Sequence, residues 1–330
     1  MSATPLVEIE GLTVELPTAR GLLRAVSGVS LSLAPSQSLG IVGESGSGKT
    51  MLSRALLRLL PPGARVGGVA RFDGSDLFRL APRQLRRLRG REIAAVFQDP
   101  MTSLNPVLTI GGQIAETMRE HLGLGPRAAA ARAVALLAEV GIPEPERRAR
   151  QYPHQLSGGM RQRVAIAIAL SCEPRLLIAD EPTTALDVTV QAQILDLLAR
   201  ERQKRRMAMI LITHDLGVVA GRTDEVAVMY AGRILERAPT RALFKEMRSP
   251  YAEALLSAIP RLHAPPHTRL AAIPGQPPDP TRPVPGCPFA ARCRYVRDRC
   301  RGEAPPLVAE NGGHRYACWF PLPLRATAEA

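Results

Sequence analysis

Residues 38–60 decide the fold of this chain, and they read SLGIV (38–42), GESGSGKT (43–50) and TMLSRALLRLL (50–60). The first segment is a continuous apolar run typical of a buried strand. The last segment has helical periodicity and is followed by Pro61, which predicts its end. The eight residues between them fit the pattern GxxxxGK[ST]. A strand, a glycine-rich turn and a helix in this order predict a loop that binds phosphate groups.

Glycines at three positions of this loop allow backbone N–H groups to point inward at an anion, and the start of the following helix adds partial positive charge. The predicted nucleotide-binding residues of the loop are Gly43, Glu44, Ser45, Gly46, Ser47, Gly48, Lys49 and Thr50. We expect Lys49 to bridge the β and γ phosphates and Thr50 to offer its hydroxyl to Mg²⁺.

Carboxylates follow a second apolar strand, LLIAD (176–180), where ligands of α/β proteins bind. We expect Asp180 to hold Mg²⁺ through water and Glu181 to orient or deprotonate the attacking water. His214 closes the strand MILIT (209–213) and can donate to the γ-phosphate, while Asp215 beside it is predicted to cap a helix. Gln98 can reach both Mg²⁺ and the water. The predicted catalytic residues are therefore Glu181, His214 and Gln98, and the predicted Mg²⁺ ligands are Thr50, Gln98 and Asp180.

The stretch LSGGMRQR (156–163) provides a second glycine-rich helix start. Because the first loop already binds the phosphates, this one is expected to serve a nucleotide held by a partner subunit.

The order GESGSGKT, Gln98, LSGGMRQR, LLIADE, ALD (185–187) and His214 resembles that of ABC ATPases. The resemblance implies that Ser157 and Gly159 contact the γ-phosphate bound by the opposite subunit and that Asp187 lies at the dimer interface. It also implies an adenine-stacking aromatic ring, and that position falls near Leu16. We therefore expect weaker base stacking in this chain.

Strand patterns at 7–16, 25–33, 176–180, 209–213 and 225–230, combined with helical patterns between them, predict an α/β fold with a largely parallel sheet. By resemblance this is a P-loop ABC ATPase core with an antiparallel β subdomain and a helical subdomain. We place the ABC domain at about 1–250, its helical subdomain at about 100–172, and an irregular Cys/Pro-rich C-terminal extension at 251–330.

More specific strings narrow the resemblance. VFQDPMTSLNP (96–106), SPYAEALLSAIP (249–260) and GCPFAARCRYVRDRC (286–300) are similar to the ATP-binding subunits of oligopeptide and dipeptide importers. The likeness implies hydrolysis of ATP to ADP and phosphate and a peripheral place on the cytoplasmic face of the inner membrane. Its implied partners are a second ABC ATPase, favoured as a sister subunit, two transmembrane permeases and an extracytoplasmic solute-binding protein. Importers of nickel or glutathione share this architecture, so the cargo stays open.

The formal charge of +13 comes mostly from arginine, because all but three of the 43 basic residues are Arg. Such an excess allows a nucleic acid or an anionic membrane as neighbour. A soluble nucleic-acid-dependent ABC ATPase is the less favoured alternative, since 4% aromatic residues leave few stacking platforms. We expect no nucleic-acid partner. The N-terminal sequence lacks the pattern of a secretory signal, and we expect a cytosolic location.

Four cysteines lie in the extension, at Cys287, Cys293, Cys300 and Cys318. Their gaps of five, six and seventeen residues are unlike the CxxC pairs of most zinc ribbons. Four thiolates suit an iron–sulfur cluster, and some importer ATPases of this type carry [4Fe-4S] on a similar tail. Zinc and free thiols remain alternatives. We expect the tail to support docking, because it is distant in sequence from every nucleotide motif, and Cys172 to be buried in the core.

Overall fold

The computed structural model describes residues 4–99, 103–184, 186–259 and 272–323. Its strands are β1 (Val7–Thr18), β2 (Gly21–Leu33), β3 (Ser38–Val42), β4 (Arg65–Phe72), β5 (Ser75–Asp76), β6 (Ile93–Val96), β7 (Leu176–Asp180), β8 (Ala208–Thr213), β9 (Glu225–Tyr230), β10 (Arg233–Pro239), β11 (Val308–Ala309) and β12 (Arg315–Tyr316). Its α-helices are α1 (Lys49–Leu56), α2 (Pro82–Leu88), α3 (Ile110–Leu122), α4 (Pro126–Glu139), α5 (Pro145–Ala149), α6 (Gly158–Leu170), α7 (Val188–Arg205), α8 (Leu216–Val219), α9 (Thr240–Lys245), α10 (Pro250–Ser257) and α11 (Asp298–Gly302).

The chain forms two units, and each is built from separate stretches of sequence. The P-loop unit comprises Val7–Leu33, Ser38–Phe78 and Thr213–Ala330. The LSGG unit comprises Met1–Leu6, Ala34–Gln37 and Arg79–Ile212. The C-terminal extension therefore belongs to the same unit as the phosphate loop. The boundary at residue 250 stays a prediction.

Two sheets organise the P-loop unit. Strands β2, β1, β4 and β5 form an antiparallel sheet in that order, which is the predicted β subdomain. In the second sheet β3 runs parallel to β9, and β10 and β12 extend it with antiparallel pairing. Every residue of β3 is buried, as expected for the strand that carries the phosphate loop at its carboxyl end.

The LSGG unit contains a parallel arrangement of β6, β7 and β8. Helices α3 to α6 lie between β6 and β7 in sequence, which agrees with the predicted helical subdomain. Pro100–Thr102 and Ala185, which belong to two of the quoted motifs, lie outside the described residues. Within the described ranges, no helix has the length and apolar content needed to cross a bilayer.

The periodicity of residues 50–60 predicted a helix up to Pro61. Helix α1 is shorter and ends at Leu56. Arg58 has a left-handed backbone with φ 50°. The N–H of Leu59 donates to Arg54 O at 2.8 Å, and the N–H of Arg58 donates to Ala55 O at 2.9 Å. A left-handed residue with such hydrogen bonds is a helix C-terminal motif, and it stops the helix ahead of the prolines.

Candidate nucleotide site and cysteine cavity

Two glycines of the phosphate loop are required by close backbone approach. A Cβ at Gly43 would lie 2.0 Å from Met229 O, and one at Gly48 would lie 2.1 Å from Ala25 O. Gly48 also has φ 101° and precedes α1, whose first turn receives no side-chain cap. The loop therefore folds tightly against β9 and β2 and starts α1 without a side chain competing for its N–H groups.

Lys49 is 4% exposed and folds back on its own loop. Its Nζ donates to Gly43 O at 2.7 Å and to Glu44 O at 2.9 Å. These carbonyl contacts compensate the buried ammonium group and keep a positive charge inside the loop. The arrangement fits the predicted role of Lys49 toward phosphate.

Glu181 occupies a strained backbone position at the end of β7. Its φ of 48° is in the left-handed region, and its N–H donates to Ile212 O at 2.9 Å. Gln98 Nε2 and Thr184 Oγ1 each donate to Glu181 Oε2 at 3.0 Å. Asp180, the preceding residue, is buried. The structure thus brings the predicted Gln98 and Glu181 into contact, and strain of this kind is common at functional sites.

The LSGG stretch begins α6 with Ser157 as its N-cap. Ser157 Oγ accepts from the N–H of Met160 at 3.3 Å, and the residue is exposed. A Cβ at Gly159 would lie 2.8 Å from Val190 Cγ1, so a larger residue there would require the Val190 side chain to move. Asp187 caps α7 by accepting from the N–H of Val190 at 2.9 Å. Exposure of Ser157 is compatible with the predicted contact to a partner-bound nucleotide.

The predicted site residues are distributed over both units. The phosphate loop, Leu16 and His214 belong to the P-loop unit. Gln98, Asp180, Glu181, Ser157 and Gly159 belong to the LSGG unit. His214 is exposed, and Asp215 caps α8 by accepting from the N–H of Gly217 at 2.7 Å, as predicted. Leu16 pairs with Leu23 across the β1–β2 hairpin and is partly exposed.

The C-terminal extension contacts the phosphate loop, which the sequence analysis did not predict. Arg292 forms two hydrogen bonds with the carboxylate of Glu44, and the N–H of Glu44 donates to Tyr251 Oη at 2.9 Å. Residues 276–280 of the extension and 44–47 of the loop also line one cavity of about 510 Å³. Large sequence separation hid these contacts. Tyr251 and Arg292 lie in the stretches SPYAEALLSAIP and GCPFAARCRYVRDRC, whose local patterns do not indicate Glu44 as a partner.

The four tail cysteines line one small cavity. Its walls also include four aromatic side chains, Phe289, Tyr295, Trp319 and Phe320. Burial raises the pKa of Cys287 and Cys293, and raises the pKa of Cys318 to about 11. Neighbouring thiols act in the same direction, because several thiolates near each other repel. Cys172 is buried as predicted, and burial raises its pKa as well.

The thiols would have to lose their protons to bind a metal or a cluster, and a bound cationic group would offset the burial and the repulsion that oppose this loss. Among the described residues, no group of three or more His, Cys, Asp or Glu side chains is arranged to hold a metal ion. A single zinc ion needs all its thiolates around one point. An iron–sulfur cluster attaches its thiolates to different iron atoms, so it tolerates more widely separated sulfurs.

Comparisons with known proteins decide the family. The profile described as ABC transporter matches residues 26–184, and that described as oligopeptide/dipeptide transporter, C-terminal region, matches residues 235–300. A protein of Brucella abortus (strain 2308) named for peptide import ATP binding is 50% identical over 98% of this chain and 97% of its own length. The chain belongs to the ABC transporter family.

Other similarities agree with this membership. The oligopeptide transport ATP-binding protein OppD of Bacillus subtilis (strain 168) is 47% identical over 96% of this chain and 89% of its own length. A solved dimeric ATP-binding cassette in a post-hydrolysis state, bound to ADP and phosphate, is 27% identical with a TM-score of 0.64. The structural alignment covers 71% of this chain and 99% of the solved cassette. The predicted fold class, a P-loop ABC ATPase core, is confirmed.

Proposed function

We propose that this chain is the ATP-binding and ATP-hydrolysing subunit of a membrane importer of oligopeptides or dipeptides. The observation that carries the proposal is the presence of two matches in one chain, the ABC transporter profile and the oligopeptide/dipeptide C-terminal region. Identity of about half of all residues to a protein named for peptide import, over nearly the full length of both chains, supports the peptide cargo.

In the proposed reaction, water attacks the γ-phosphate of ATP in line with the leaving ADP oxygen. The loop N–H groups and Lys49 would bind the phosphates, and Thr50, Gln98 and Asp180 would hold Mg²⁺, which would neutralise charge on the phosphate oxygens. Glu181 orients the water and accepts its proton, and His214 donates to the γ-phosphate. Gln98 Nε2 and Thr184 Oγ1, which both donate to Glu181 Oε2, orient this carboxylate. A carboxylate held in this way is suited to act as a general base.

A second ATPase subunit completes the proposed site, because Ser157 and Gly159 would contact the nucleotide of the opposite subunit. The exposed cap of α6 supports this assignment. We assign a sister subunit as the partner, with two permeases in the membrane and a solute-binding protein outside it. The chain would act peripherally at the cytoplasmic face of the membrane, where closure and reopening of the ATPase dimer drives the channel.

For the cysteine cavity we propose a [4Fe-4S] cluster on Cys287, Cys293, Cys300 and Cys318. Their convergence on one cavity and the aromatic walls around it support this group. The cluster would supply covalent cross-links between 287–300 and 318, in an extension whose helices and strands are very short. This chain's residues would supply the thiolates and exclude water from them.

Purification from solubilised membranes tests the function. The tagged full-length chain, produced in its own host, should co-purify with permease proteins, and the complex should hydrolyse ATP faster when peptide and binding protein are present. Stimulation by nickel or glutathione instead of peptides would reassign the cargo. Recovery of ribosomes or DNA in place of permeases would contradict the importer and favour a nucleic-acid-dependent ATPase.

A further inference from the structure

The phosphate loop carries a negative charge of its own, at Glu44. This residue is the second of GESGSGKT and is only partly exposed. A carboxylate in a loop that receives a triphosphate opposes binding by like-charge repulsion, unless a cation compensates it. ATP affinity therefore depends on whether a cation pairs with the Glu44 carboxylate.

Arg292, from the C-terminal extension, forms a bidentate ion pair with this carboxylate. Its Nη1 donates to Glu44 Oε2 at 2.6 Å and its Nη2 donates to Glu44 Oε1 at 2.9 Å. Fork-to-fork pairs of this kind are among the stronger hydrogen-bonded ion pairs. The 248 positions that separate the two residues make the pair a contact of the extension with the phosphate loop.

The surroundings hold the guanidinium of Arg292 in place, since only 4% of the side chain is exposed. Its Nε donates to Pro274 O at 2.9 Å and its Nη2 also donates to Ile273 O at 3.2 Å. Tyr230 Oη lies 3.3 Å from Nη1. Hydrogen bonding to Glu44 raises the pKa of Arg292, so the charge is permanent.

Tyr251 holds the backbone of Glu44 independently of that pair. Its Oη accepts from the N–H of Glu44 at 2.9 Å, and the side chain is fully buried. Its ring packs against those of Tyr230 and Phe289, with centroids 4.5 and 5.2 Å away. Because the backbone has its own anchor, the contribution of Arg292 is separable as one of charge.

We propose that Arg292 is a charge-compensating residue for ATP binding, which neutralises Glu44 so that the phosphate loop presents only the positive charge of Lys49 to the nucleotide. The proposal rests on the proposed ATP-binding function. It assigns the C-terminal extension a direct part in nucleotide affinity. We expected the tail to support docking, because it is distant in sequence from the nucleotide motifs, and that expectation did not include a contact with the phosphate loop.

The test is a charge cycle on the full-length chain, with the dissociation constant of Mg-ATP measured by equilibrium dialysis. Arg292→Gln should weaken binding about tenfold, a magnitude typical of a charge left unpaired near a charged ligand. Adding Glu44→Gln to that variant should restore binding to within about threefold of wild type, because the uncompensated carboxylate is gone. Glu44→Gln alone should bind ATP more tightly than wild type, because it leaves Arg292 as an uncompensated positive charge beside the phosphate loop.

If the Arg292–Glu44 pair only holds the loop in its conformation, we expect the opposite pattern for two of these variants. Glu44→Gln alone would then loosen the loop and weaken binding, and the double variant would stay as weak as Arg292→Gln. Either result overturns the proposal, and so does an unchanged affinity in Arg292→Gln. If Arg292→Gln fails to fold, the Glu44→Gln variant still distinguishes the two explanations by whether its ATP affinity rises or falls.

Arg248→Met is the matched control. Arg248 is also a buried arginine that pairs with a carboxylate of the extension. Its Nη2 donates to Glu310 Oε1 at 3.2 Å and its Nη1 donates to Leu322 O, and neither partner lies in the phosphate loop. Its replacement should loosen the extension in limited proteolysis and leave ATP affinity within about twofold. A tenfold loss in this control would mean that any loosening of the tail impairs the loop, and would overturn the charge argument. If wild-type protein does not bind ATP, the proposed function fails before the cycle begins.

Discussion

Replacement of Glu181 by glutamine separates ATP binding from ATP hydrolysis. The substitution keeps the size of the side chain and leaves one carbonyl oxygen, which can still accept from Gln98 Nε2 and Thr184 Oγ1 as Glu181 Oε2 does at 3.0 Å. Glutamine and glutamate share the same backbone and Cβ atoms, so the left-handed conformation at φ 48° should be retained. We therefore expect the fold and the binding of Mg-ATP to persist in Glu181→Gln.

The expected loss lies in the chemical step, because a glutamine amide cannot accept the proton of the attacking water. General base catalysis contributes about 10²–10⁴ in rate, which is about 3–5 kcal/mol of transition-state stabilisation. Steady-state hydrolysis by the assembled complex should fall by that factor with KM within about threefold of wild type. ATP should remain trapped after rapid gel filtration, since the closed dimer reopens after hydrolysis.

Glu173→Gln is the matched control for this experiment. Glu173 has the same unusual backbone, with φ 54°, but its side chain is 64% exposed and pairs with Arg132 at 2.7 Å on the surface. Loss of a surface ion pair costs less than about 1 kcal/mol, so hydrolysis should be unchanged. Near-normal turnover in Glu181→Gln would remove Glu181 from the mechanism and refute the base assignment.

Three further predictions concern adenine stacking at Leu16, the tail cysteines, and the hydrogen bond from Glu44 to Tyr251. Leu16→Tyr should tighten ATP binding by about 1 kcal/mol or more through stacking on adenine, and an unchanged or weaker affinity would show that the ring position has been misplaced. Protein purified without oxygen should be brown, and Cys293→Ser should bleach it and weaken complex assembly more than ATP binding; colourless protein with stoichiometric zinc would exclude the cluster. Tyr251→Phe should lower the free energy of unfolding in urea by about 1 kcal/mol, because the part-buried N–H of Glu44 loses its acceptor; a change below about 0.5 kcal/mol would contradict that anchor.

The secondary structure around the nucleotide motifs could be predicted closely from the sequence. SLGIV, LLIAD and EVAVMY correspond to β3, β7 and β9 residue for residue. Each is an apolar run of five or six residues, and this length together with the bordering glycine or charged residues favours a strand over a helix. The end of α1 was harder to predict, because Arg58 adopts a left-handed backbone that sequence rules reserve mainly for glycine and asparagine.

The sequence by itself determined the parts of the site in which a few adjacent residues satisfy one chemical requirement. The phosphate loop and the helix caps at Asp187 and Asp215 are of this kind, because their hydrogen bonds join residues two to six positions apart. Only the tertiary structure decided that Arg292 and Tyr251 hold Glu44, across 248 and 207 positions. It also decided that four cysteines share one cavity. Such contacts depend on how distant segments pack, and no local period or propensity encodes which buried arginine will meet which carboxylate.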